Sequence, residues 1–378
     1  MKFISWASCY AKVIYINLSS RNVCAMSQYP WHTSRFSCLT RAIMSQLDQP
    51  EIGRQYRHMS WNVFVSRRIP TEGMDLLRQS GAEVRLHDEE SPLPRNELLA
   101  QLRSCDGVII GGGERVDAEF FDAAPKLKVV SCLAVGYDNV DLAEATGRRI
   151  LVTNTPDVLT DAVADLTWAL ILGVARRVVE GDRLARSGKW RGLSPTLLRG
   201  VDVAGKTLGI IGAGRIGAAV AKRGTGFSMR LVYVARSAKP EMEALGGRRV
   251  TFDEILRESD FLCVHVPLTP DTRHLFGEAE FRKMKPTAYF INMARGAVVD
   301  EAALVRALRE TWIAGAGLDV YEHEPQISPE LLPMPNTLLL PHLGSATVET
   351  RRRMSIMAVE NLLAVLDGRP CPNVVNPF

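Results

Sequence analysis

Three polar side chains in the second half of the chain are of types that can hold an acid and transfer a proton. Arg295 stands in Asn-Met-Ala-Arg-Gly, Glu324 stands directly before a proline, and His342 stands in Pro-His-Leu-Gly-Ser. Each follows an apolar run that predicts a buried strand. Because ligands of open α/β sheets bind outside the carboxyl ends of the strands, the three side chains are expected to converge. Taken singly, they are better explained as a surface ion pair, a capping acid and a loop histidine.

Together, the three residue types fit the reduction of a 2-keto acid. Such a reaction needs a cation that holds the carboxylate and polarises the carbonyl, a role for Arg295. It also needs an acid that protonates the developing alkoxide, a role for His342. A neighbouring carboxylate, here Glu324, would keep the imidazole protonated near neutral pH. The position of all three residues downstream of a nucleotide-binding pattern favours this joint interpretation.

The nucleotide-binding pattern is a Gly-Ala-Gly-Arg-Ile-Gly segment between a predicted strand, Thr207–Ile211, and a predicted helix, Ala218–Lys222. This order of strand, GxGxxG and helix is the dinucleotide fingerprint. Gly212 permits the tight turn, Gly214 lets the backbone approach a pyrophosphate, and Gly217 lets helix and strand pack closely. The alternative is an ordinary glycine-rich turn between a strand and a helix.

The end of the next predicted strand, Met229–Val234, bears on the choice of cofactor. An acid about 20 residues beyond the glycines would bind the ribose 2′-hydroxyl of NAD, but none stands here. Instead, Arg236 can bind a 2′-phosphate bidentately and Ser237 can donate a hydrogen bond to it. We therefore expect NADP(H) to be preferred, with NAD(H) possible. The alternative for Arg236 is a solvated surface arginine.

Composition and charge exclude several classes of partner. The 378 residues are 46% hydrophobic and 23% charged, which is typical of a globular protein with two or three domains. The formal net charge of +4 arises in the first sixty residues, since the remainder is close to neutral. We therefore expect no nucleic-acid partner. No apolar run reaches the ~18 residues of a membrane span, and the seven cysteines show no metal-ligand spacing, so we expect neither a membrane nor a metal site.

Residues 1–60 are expected to be an extension outside the fold. No acid occurs before Asp48, while Ser, Arg and aromatic residues are common, which is typical of a mitochondrial transit peptide. The alternative is an unstructured extension or a start at an internal methionine, Met44 or Met59. We expect a cytoplasmic location, with a mitochondrial one as the alternative.

From Trp61 onward, short strands alternate with helical stretches, which predicts parallel sheets covered by helices. A long helical stretch is predicted from Asp161 to Trp190, with an apolar side too extensive for one small domain. His265 lies within a strand and is interpreted as a packed core histidine. The predicted strands are Asn62–Ser66, Glu83–Leu86, Gly107–Ile110, Lys128–Ser131, Arg149–Thr153, Thr207–Ile211, Met229–Val234, Phe261–Pro267, Ala288–Met293, Ala314–Val320 and Thr337–Leu340.

The loop that follows the strand Lys128–Ser131 is a candidate anion site. Val135 and Gly136 stand in it, and a glycine at such a place can expose successive backbone N–H groups to a carboxylate. A plain turn between a strand and a helix is the alternative, and the spacing alone favours that turn.

The chain resembles the D-2-hydroxyacid dehydrogenase family, and within it the glyoxylate/hydroxypyruvate reductases most. The likeness extends from about Asn62 to Pro377 and rests on the glycine motif, on Val-Gly-Tyr-Asp-Asn-Val-Asp, on Thr-Pro-Asp-Val-Leu-Thr-Asp and on the Arg, Glu and His motifs. It implies an α/β fold of two doubly wound parallel-sheet domains. A flavodoxin-like catalytic domain would comprise residues 61–157 and 344–378, and a Rossmann nucleotide-binding domain residues 158–343.

The resemblance also implies roles for individual residues. Arg295 would bind substrate, His342 would be the proton donor and Glu324 its partner. Val135, Gly136 and Ser345 would also bind the small 2-keto or 2-hydroxy acid. The cofactor positions would be Thr160, Gly212, Gly214, Arg215, Ile216, Gly217, Arg236, Ser237, Pro267, Met293, Asp319, His342 and Gly344.

The family usually forms homodimers, which implies an interface around Asp161–Lys189. The segment after Trp190 lacks a second tryptophan that shapes the substrate pocket in animal relatives, so the preference between glyoxylate and hydroxypyruvate stays open. The other function considered is a nucleotide-sensing interaction protein, like the corepressors that share this fold. The near-neutral folded part and the lack of long low-complexity tails argue against it.

Overall fold

Two parallel β-sheets organise residues 60–378, the part of the chain that the computed structural model describes. The transit-peptide interpretation and its alternatives fall on residues outside this part. Within residues 60–378, none of the helices combines the length and the apolar character required to cross a membrane.

The first sheet has five strands, all paired in parallel. The strands are β1 (Asn62–Val65), β2 (Glu83–Leu86), β3 (Gly107–Ile110), β4 (Val129–Cys132) and β5 (Leu151–Thr153). Their order is β2-β1-β3-β4-β5, which is the flavodoxin-like order. The connecting helices are α1 (Thr71–Gln79), α2 (Arg95–Leu102), α3 (Ala118–Asp122) and α4 (Leu142–Gly147).

Two consecutive helices follow the first sheet, α5 (Thr160–Ala175) and α6 (Val178–Arg186). The single long helix predicted from Asp161 to Trp190 is therefore wrong. The chain breaks at Arg177, whose φ of +53° is left-handed, and Trp190 lies beyond the second helix. The predicted apolar side of the first helix is present, because ten of its sixteen residues are buried.

The second sheet has seven strands in the order β12-β11-β10-β9-β6-β7-β8, again all parallel. The strands are β6 (Thr207–Ile211), β7 (Arg230–Val234), β8 (Arg248–Arg249), β9 (Phe261–Val264), β10 (Tyr289–Asn292), β11 (Gly315–Leu318) and β12 (Thr337–Leu339). The order extends the Rossmann arrangement by one strand, so the predicted fold class is confirmed. The helices are α7 (Arg215–Gly224), α8 (Pro240–Glu243), α9 (Phe252–Glu258), α10 (Glu278–Lys283) and α11 (Glu301–Arg309).

Helix α12 (Val348–Leu366) returns the C-terminal part of the chain to the first sheet. Near its end, the Leu362 side chain lies 3.2 Å from where a Cβ on Gly107, the first residue of β3, would stand. One turn earlier, the carbonyl of Ala358 accepts a hydrogen bond from Ser131 of β4 at 2.8 Å. The helix therefore runs opposite to the strands, and its N-terminus points toward their carboxyl ends.

Most predicted strands agree with the observed bounds to within one or two residues. The largest difference is the predicted strand Phe261–Pro267, which ends at Val264. His265 still donates its backbone N–H to the carbonyl of Ile211 at 2.8 Å. The segment after β9 therefore separates from β6 only beyond His265. The edge strand β8 and the helices α3, α4, α8, α9, α10 and α11 were not predicted. Most of these elements are too short to show a periodic pattern.

Candidate active site

His342 and Glu324 form a hydrogen-bonded pair beyond the carboxyl ends of β12 and β11. The Nδ1 atom of His342 lies 2.8 Å from Oε2 of Glu324, and the other carboxylate oxygen accepts the backbone N–H of Tyr321 at 3.0 Å. The imidazole is half exposed. Burial on its own raises the pKa of Glu324, but the hydrogen bond from His342 and its charge outweigh burial and hold that pKa below its ordinary value.

Arg295 follows β10 and reaches across to the loop after β4. Its Nε donates to Oδ1 of Asp138 at 2.8 Å, and its Nη1 donates to the carbonyl of Ala294 at 2.8 Å. A Cβ on Gly136 would overlap the Arg295 guanidinium, so only glycine leaves room for this side chain. Asn154 holds the same loop by donating to the carbonyl of Val135 at 2.8 Å. The two predicted carboxylate-binding elements, Arg295 and the Val135–Gly136 loop, thus lie in contact.

The arginine is also brought close to the histidine–glutamate pair. A Cβ on Gly296 would overlap the backbone of Tyr321, so the loop after β10 packs directly on the loop that carries Glu324. The positive charge of Arg295 also contributes to lowering the pKa of Glu324. The three side chains singled out in the sequence therefore share one neighbourhood.

Asp319 fixes the loop that carries His342. Its carboxylate accepts the backbone N–H groups of Leu343 at 2.7 Å and of Gly344 at 2.8 Å, and the residue is 2% exposed. Burial raises the pKa of this carboxyl group, which the two N–H groups and the charge of His342 partly offset. A Cβ on Gly344 would stand 3.5 Å from Cε of Met293, so these three predicted cofactor positions form one cluster.

The glycine turn has the geometry that a dinucleotide requires. Gly212 has a φ of +95°, and a Cβ there would stand 2.6 Å from the backbone of His265. A Cβ on Gly217 would overlap the Gly212 carbonyl, whereas one on Gly214 would meet nothing within 4 Å. Helix α7 begins at Arg215 without a side-chain cap. Its first N–H groups therefore have no side-chain acceptor at a positive helix end, which fits a pyrophosphate.

The segment after β7 is the candidate site for the adenosine ribose. Arg236 and Ser237 are exposed there. Arg249, in the edge strand β8, donates to the carbonyls of Ala235 at 3.1 Å and of Arg236 at 3.0 Å. Sequence reasoning missed Arg249, because a two-residue edge strand gives no periodic signal. The sequence did contain one signal for this residue: Arg248 and Arg249 are consecutive arginines a short way along the chain from the predicted 2′-phosphate site.

The remaining predicted positions lie at a helix start or in segments that follow strands. Thr160 is the first residue of α5, Pro267 is exposed beyond β9, and Ser345 is half buried after the histidine loop. The Arg215 side chain pairs with Asp157 at 2.6 Å, a contact that the sequence did not predict.

His265, interpreted from the sequence as a packed core histidine, is only partly buried as a residue, but both of its ring nitrogens are buried. Neither of its ring nitrogens has a hydrogen-bond partner among residues 60–378, and burial lowers its pKa to about 4. The ring is therefore neutral near pH 7, which fits a packed side chain.

The chain is similar to proteins of one family over most of its length. The family model for the D-isomer specific 2-hydroxyacid dehydrogenase, NAD binding domain, matches residues 168–344. A glyoxylate reductase of Thermococcus gammatolerans is 50% identical over 323 residues, which are 84% of this chain and 96% of that protein. A glyoxylate reductase of Pyrococcus horikoshii is 49% identical, with 84% of this chain and 96% of that protein covered.

Solved structures show the same relationship. A protein from Thermus thermophilus is 48% identical, with a TM-score of 0.79 over 83% of this chain and 99% of its own. An NADPH-dependent glyoxylate/hydroxypyruvate reductase from Sinorhizobium meliloti, in complex with NADP and malonate, is 35% identical, with a TM-score of 0.73 over 84% of this chain and 98% of its own. The sequence motifs, the order of strands in the two sheets and these relatives all indicate the same family. The chain belongs to the D-isomer specific 2-hydroxyacid dehydrogenase family and is a nicotinamide-dependent oxidoreductase that acts on CH–OH groups.

Proposed function

We propose that this dehydrogenase is an NADPH-dependent glyoxylate/hydroxypyruvate reductase. The observation that carries the proposal is the His342–Glu324 pair beside Arg295, opposite the Val135–Gly136 loop. The relatives support the choice of substrate. Two archaeal proteins about half identical to the chain are named glyoxylate reductase, and the Sinorhizobium meliloti structure is named for both keto acids.

In this proposal, the substrate carboxylate binds between Arg295 and the backbone N–H groups of Val135 and Gly136, with Ser345 nearby. The Nε of Arg295 is occupied by Asp138, but its Nη2 lies against Gly136 and can donate to an anion there. A charge-assisted hydrogen bond of this kind fixes the acid as well as attracting it. The keto oxygen is then directed toward His342.

The His342 imidazole supplies the proton. Because the carboxylate of Glu324 can only accept, the Nδ1 of His342 carries the hydrogen of that bond, and Nε2 is left to protonate the substrate oxygen. Glu324 stabilises the imidazolium before the transfer and fixes the orientation of the ring. When bound, the reduced nicotinamide supplies a hydride for C2 of the keto acid.

The choice of NADPH rests on the segment after β7. Arg236 and Ser237 are exposed where an acid would exclude a 2′-phosphate, and Arg249 fixes the backbone of Arg236 from the neighbouring strand. The NADP bound to the Sinorhizobium meliloti relative supports this choice.

The domain bounds, the assembly and the location are also proposals. Residues 61–157 and 344–378 would form the catalytic domain, and residues 158–343 the nucleotide-binding domain. We propose a cytoplasmic homodimer. Helix α6 has no buried residue, and exposed apolar side chains continue beyond it, which favours a face that a second copy covers. These side chains are Val178, Val179, Trp190, Leu193 and Leu197.

Replacement of His342 tests the proton donor. We expect His342→Ala to lower kcat for glyoxylate by about 10²–10⁴-fold, since it removes a general acid. The control is His87→Ala, because His87 bonds Ser91 in the first sheet's surface loop. NADPH binding, followed by fluorescence, should persist in both variants. Full activity of His342→Ala would disprove the assigned role.

The lowered pKa of Glu324 predicts a pH-dependent contribution to stability. A carboxyl group whose folded pKa lies below its ordinary value of 4.5 stabilises the fold above that pH and loses the effect as pH falls through the folded pKa. The stability difference between wild type and Glu324→Gln should therefore be largest above pH 4.5 and shrink below it. Thermal melts across this range measure it, with the exposed Glu349→Gln as control. A difference that does not change with pH would contradict the assignment.

The cofactor preference is tested with a charge reversal. We expect wild type to have the higher kcat/KM with NADPH, and Arg236→Asp to lose activity with NADPH while retaining it with NADH, because the new carboxylate repels the 2′-phosphate. Steady-state kinetics with glyoxylate and each cofactor measure this. Arg230→Asp, at the opposite end of β7, is the matched control. A wild-type preference for NADH would overturn the proposal.

If the proposed homodimer forms, a charge placed in its interface should separate the two subunits. Val178→Glu should convert the dimer to a monomer, because it places a charge in the proposed apolar interface. Val348→Glu, at a more exposed site on α12, should leave the dimer intact. Light scattering during size-exclusion chromatography measures the mass of both variants. A monomeric wild type would refute the assembly.

A further inference from the structure

The backbone N–H groups of Val135 and Gly136 have no acceptor within residues 60–378, although both residues are half-buried. They stand in the loop after β4, where Gly136 lies against the Arg295 guanidinium. Successive N–H groups without a partner in the protein are available to an anion. Both can serve the same anion only if their two peptide units face the right way.

Two hydrogen bonds fix the direction of these peptide units. The carbonyl of Ala134 accepts the backbone N–H of Thr155 at 2.9 Å, and the carbonyl of Val135 accepts Nδ2 of Asn154 at 2.8 Å. Both units are trans, so the N–H of each points opposite to its carbonyl. The N–H groups of Val135 and Gly136 therefore both point away from the segment that follows β5.

The bond from Asn154 is important because its peptide unit ends at a glycine. Gly136 is required, since a Cβ there would overlap Arg295. Glycine also tolerates backbone angles that other residues avoid, so the peptide between Val135 and Gly136 can turn over unless a partner holds it. Turned over, it would present a carbonyl oxygen to the anion instead of an N–H group. The Ala134 unit depends on no side chain, because a backbone N–H holds it.

Asn154 is itself held by the C-terminal part of the chain, and it is only 8% exposed. Its backbone N–H donates to the carbonyl of Asn373 at 3.2 Å, and its carbonyl accepts Nδ2 of Asn361, in α12, at 2.9 Å. The side-chain oxygen of Asn361 accepts Nδ2 of Asn373 at 2.9 Å. Three asparagines thus form a continuous set of hydrogen bonds that ends at the loop after β4.

We propose that Asn154 is a positioning residue that aims the Gly136 N–H at the substrate carboxylate. Asn361 and Asn373 keep Asn154 in place. The inference rests on the proposed function, in which this loop and Arg295 bind that carboxylate. Asn154 acts through the peptide unit that it holds and not by touching the substrate. An amide is required at position 154, because a carbonyl oxygen can only accept a hydrogen bond and an ionised carboxylate has none to donate.

Steady-state reduction of glyoxylate and hydroxypyruvate by NADPH tests this role. Asn154→Ala should raise KM about 3- to 10-fold, as expected for the loss of one hydrogen bond. The factor should be similar for both acids, because they share the carboxylate. Asn154→Asp has nearly the same shape and should raise KM at least as much above neutral pH, where the new carboxylate repels the Val135 carbonyl.

The pH dependence of these variants separates a positioning role from a loss of packing. The ratio of KM in Asn154→Asp to KM in wild type should fall in mildly acidic solution, because a protonated carboxyl group can donate to the Val135 carbonyl. The same ratio for Asn154→Ala should stay constant with pH. NADPH binding, followed by fluorescence, should be unchanged in both variants, which shows that they are folded.

Binding of oxamate, a carbonyl acid that the enzyme cannot reduce, gives a readout without turnover. Its Kd for the enzyme–NADPH complex should rise in both variants of Asn154. Asn373→Ala should raise KM and this Kd by a smaller factor, because Asn373 supports Asn154 without reaching the loop. The matched control is Asn336→Ala, since the amide of Asn336 also donates to a backbone carbonyl, that of Leu308, but just before β12. It should change neither quantity.

Three results would count against the inference. An unchanged KM in Asn154→Ala, or a ratio for Asn154→Asp that does not vary with pH, would overturn the positioning role and leave the proposed function standing. A raised KM in Asn154→Ala beside an unchanged one in Asn373→Ala would overturn the support from the C-terminal segment. A wild-type enzyme that reduces neither acid would overturn both the inference and the proposed function.

Discussion

The contact between Arg295 and the loop after β4 is the constraint on which the site depends. One partner follows a strand of the seven-stranded sheet and the other follows a strand of the five-stranded sheet, and the ion pair with Asp138 joins residues 157 positions apart. The guanidinium fits only because position 136 is glycine. The arrangement proposed to bind a carboxylate is therefore made by two sheets together, and neither sheet holds it alone.

The charged side chains of the candidate site have partners within the protein. Arg67 and Arg295 each have an acidic partner, and Asp319 is compensated by two backbone N–H groups although it is almost fully buried. The half-exposed His342 is paired with Glu324. Most charged groups in the cleft are thus satisfied within the protein, which agrees with the high cost of leaving a buried charge unpaired.

The sequence predicted the fold well, because its signals are local. The glycine motif, the apolar runs of β6 and β9–β11, and the alternation of strands with helices were sufficient for both sheets and for the family. The convergence of Arg295, Glu324 and His342 could also be predicted, since each follows a parallel strand and those strands end at one edge. Their chemical roles remain predictions.

What could not be predicted depends on distant pairs or on short elements. No pattern in the sequence connects Asp138 with Arg295 or Asp157 with Arg215, because each pair forms only after the chain folds. Arg249 was missed because its strand has two residues. The break at Arg177 was missed because neither a proline nor a glycine marks the left-handed residue.

The return of α12 to the first sheet has a mechanical consequence. The larger sheet is an insertion in the chain, and the backbone joins it to the smaller sheet at the crossings before α5 and before α12. Arg295 and Asp138 lie on opposite sides of these two crossings, so their ion pair joins the two parts of the chain. His342 and Glu324 both belong to the inserted part, so their hydrogen bond forms within it. A relative displacement of the two parts would therefore act on the first pair and not on the second.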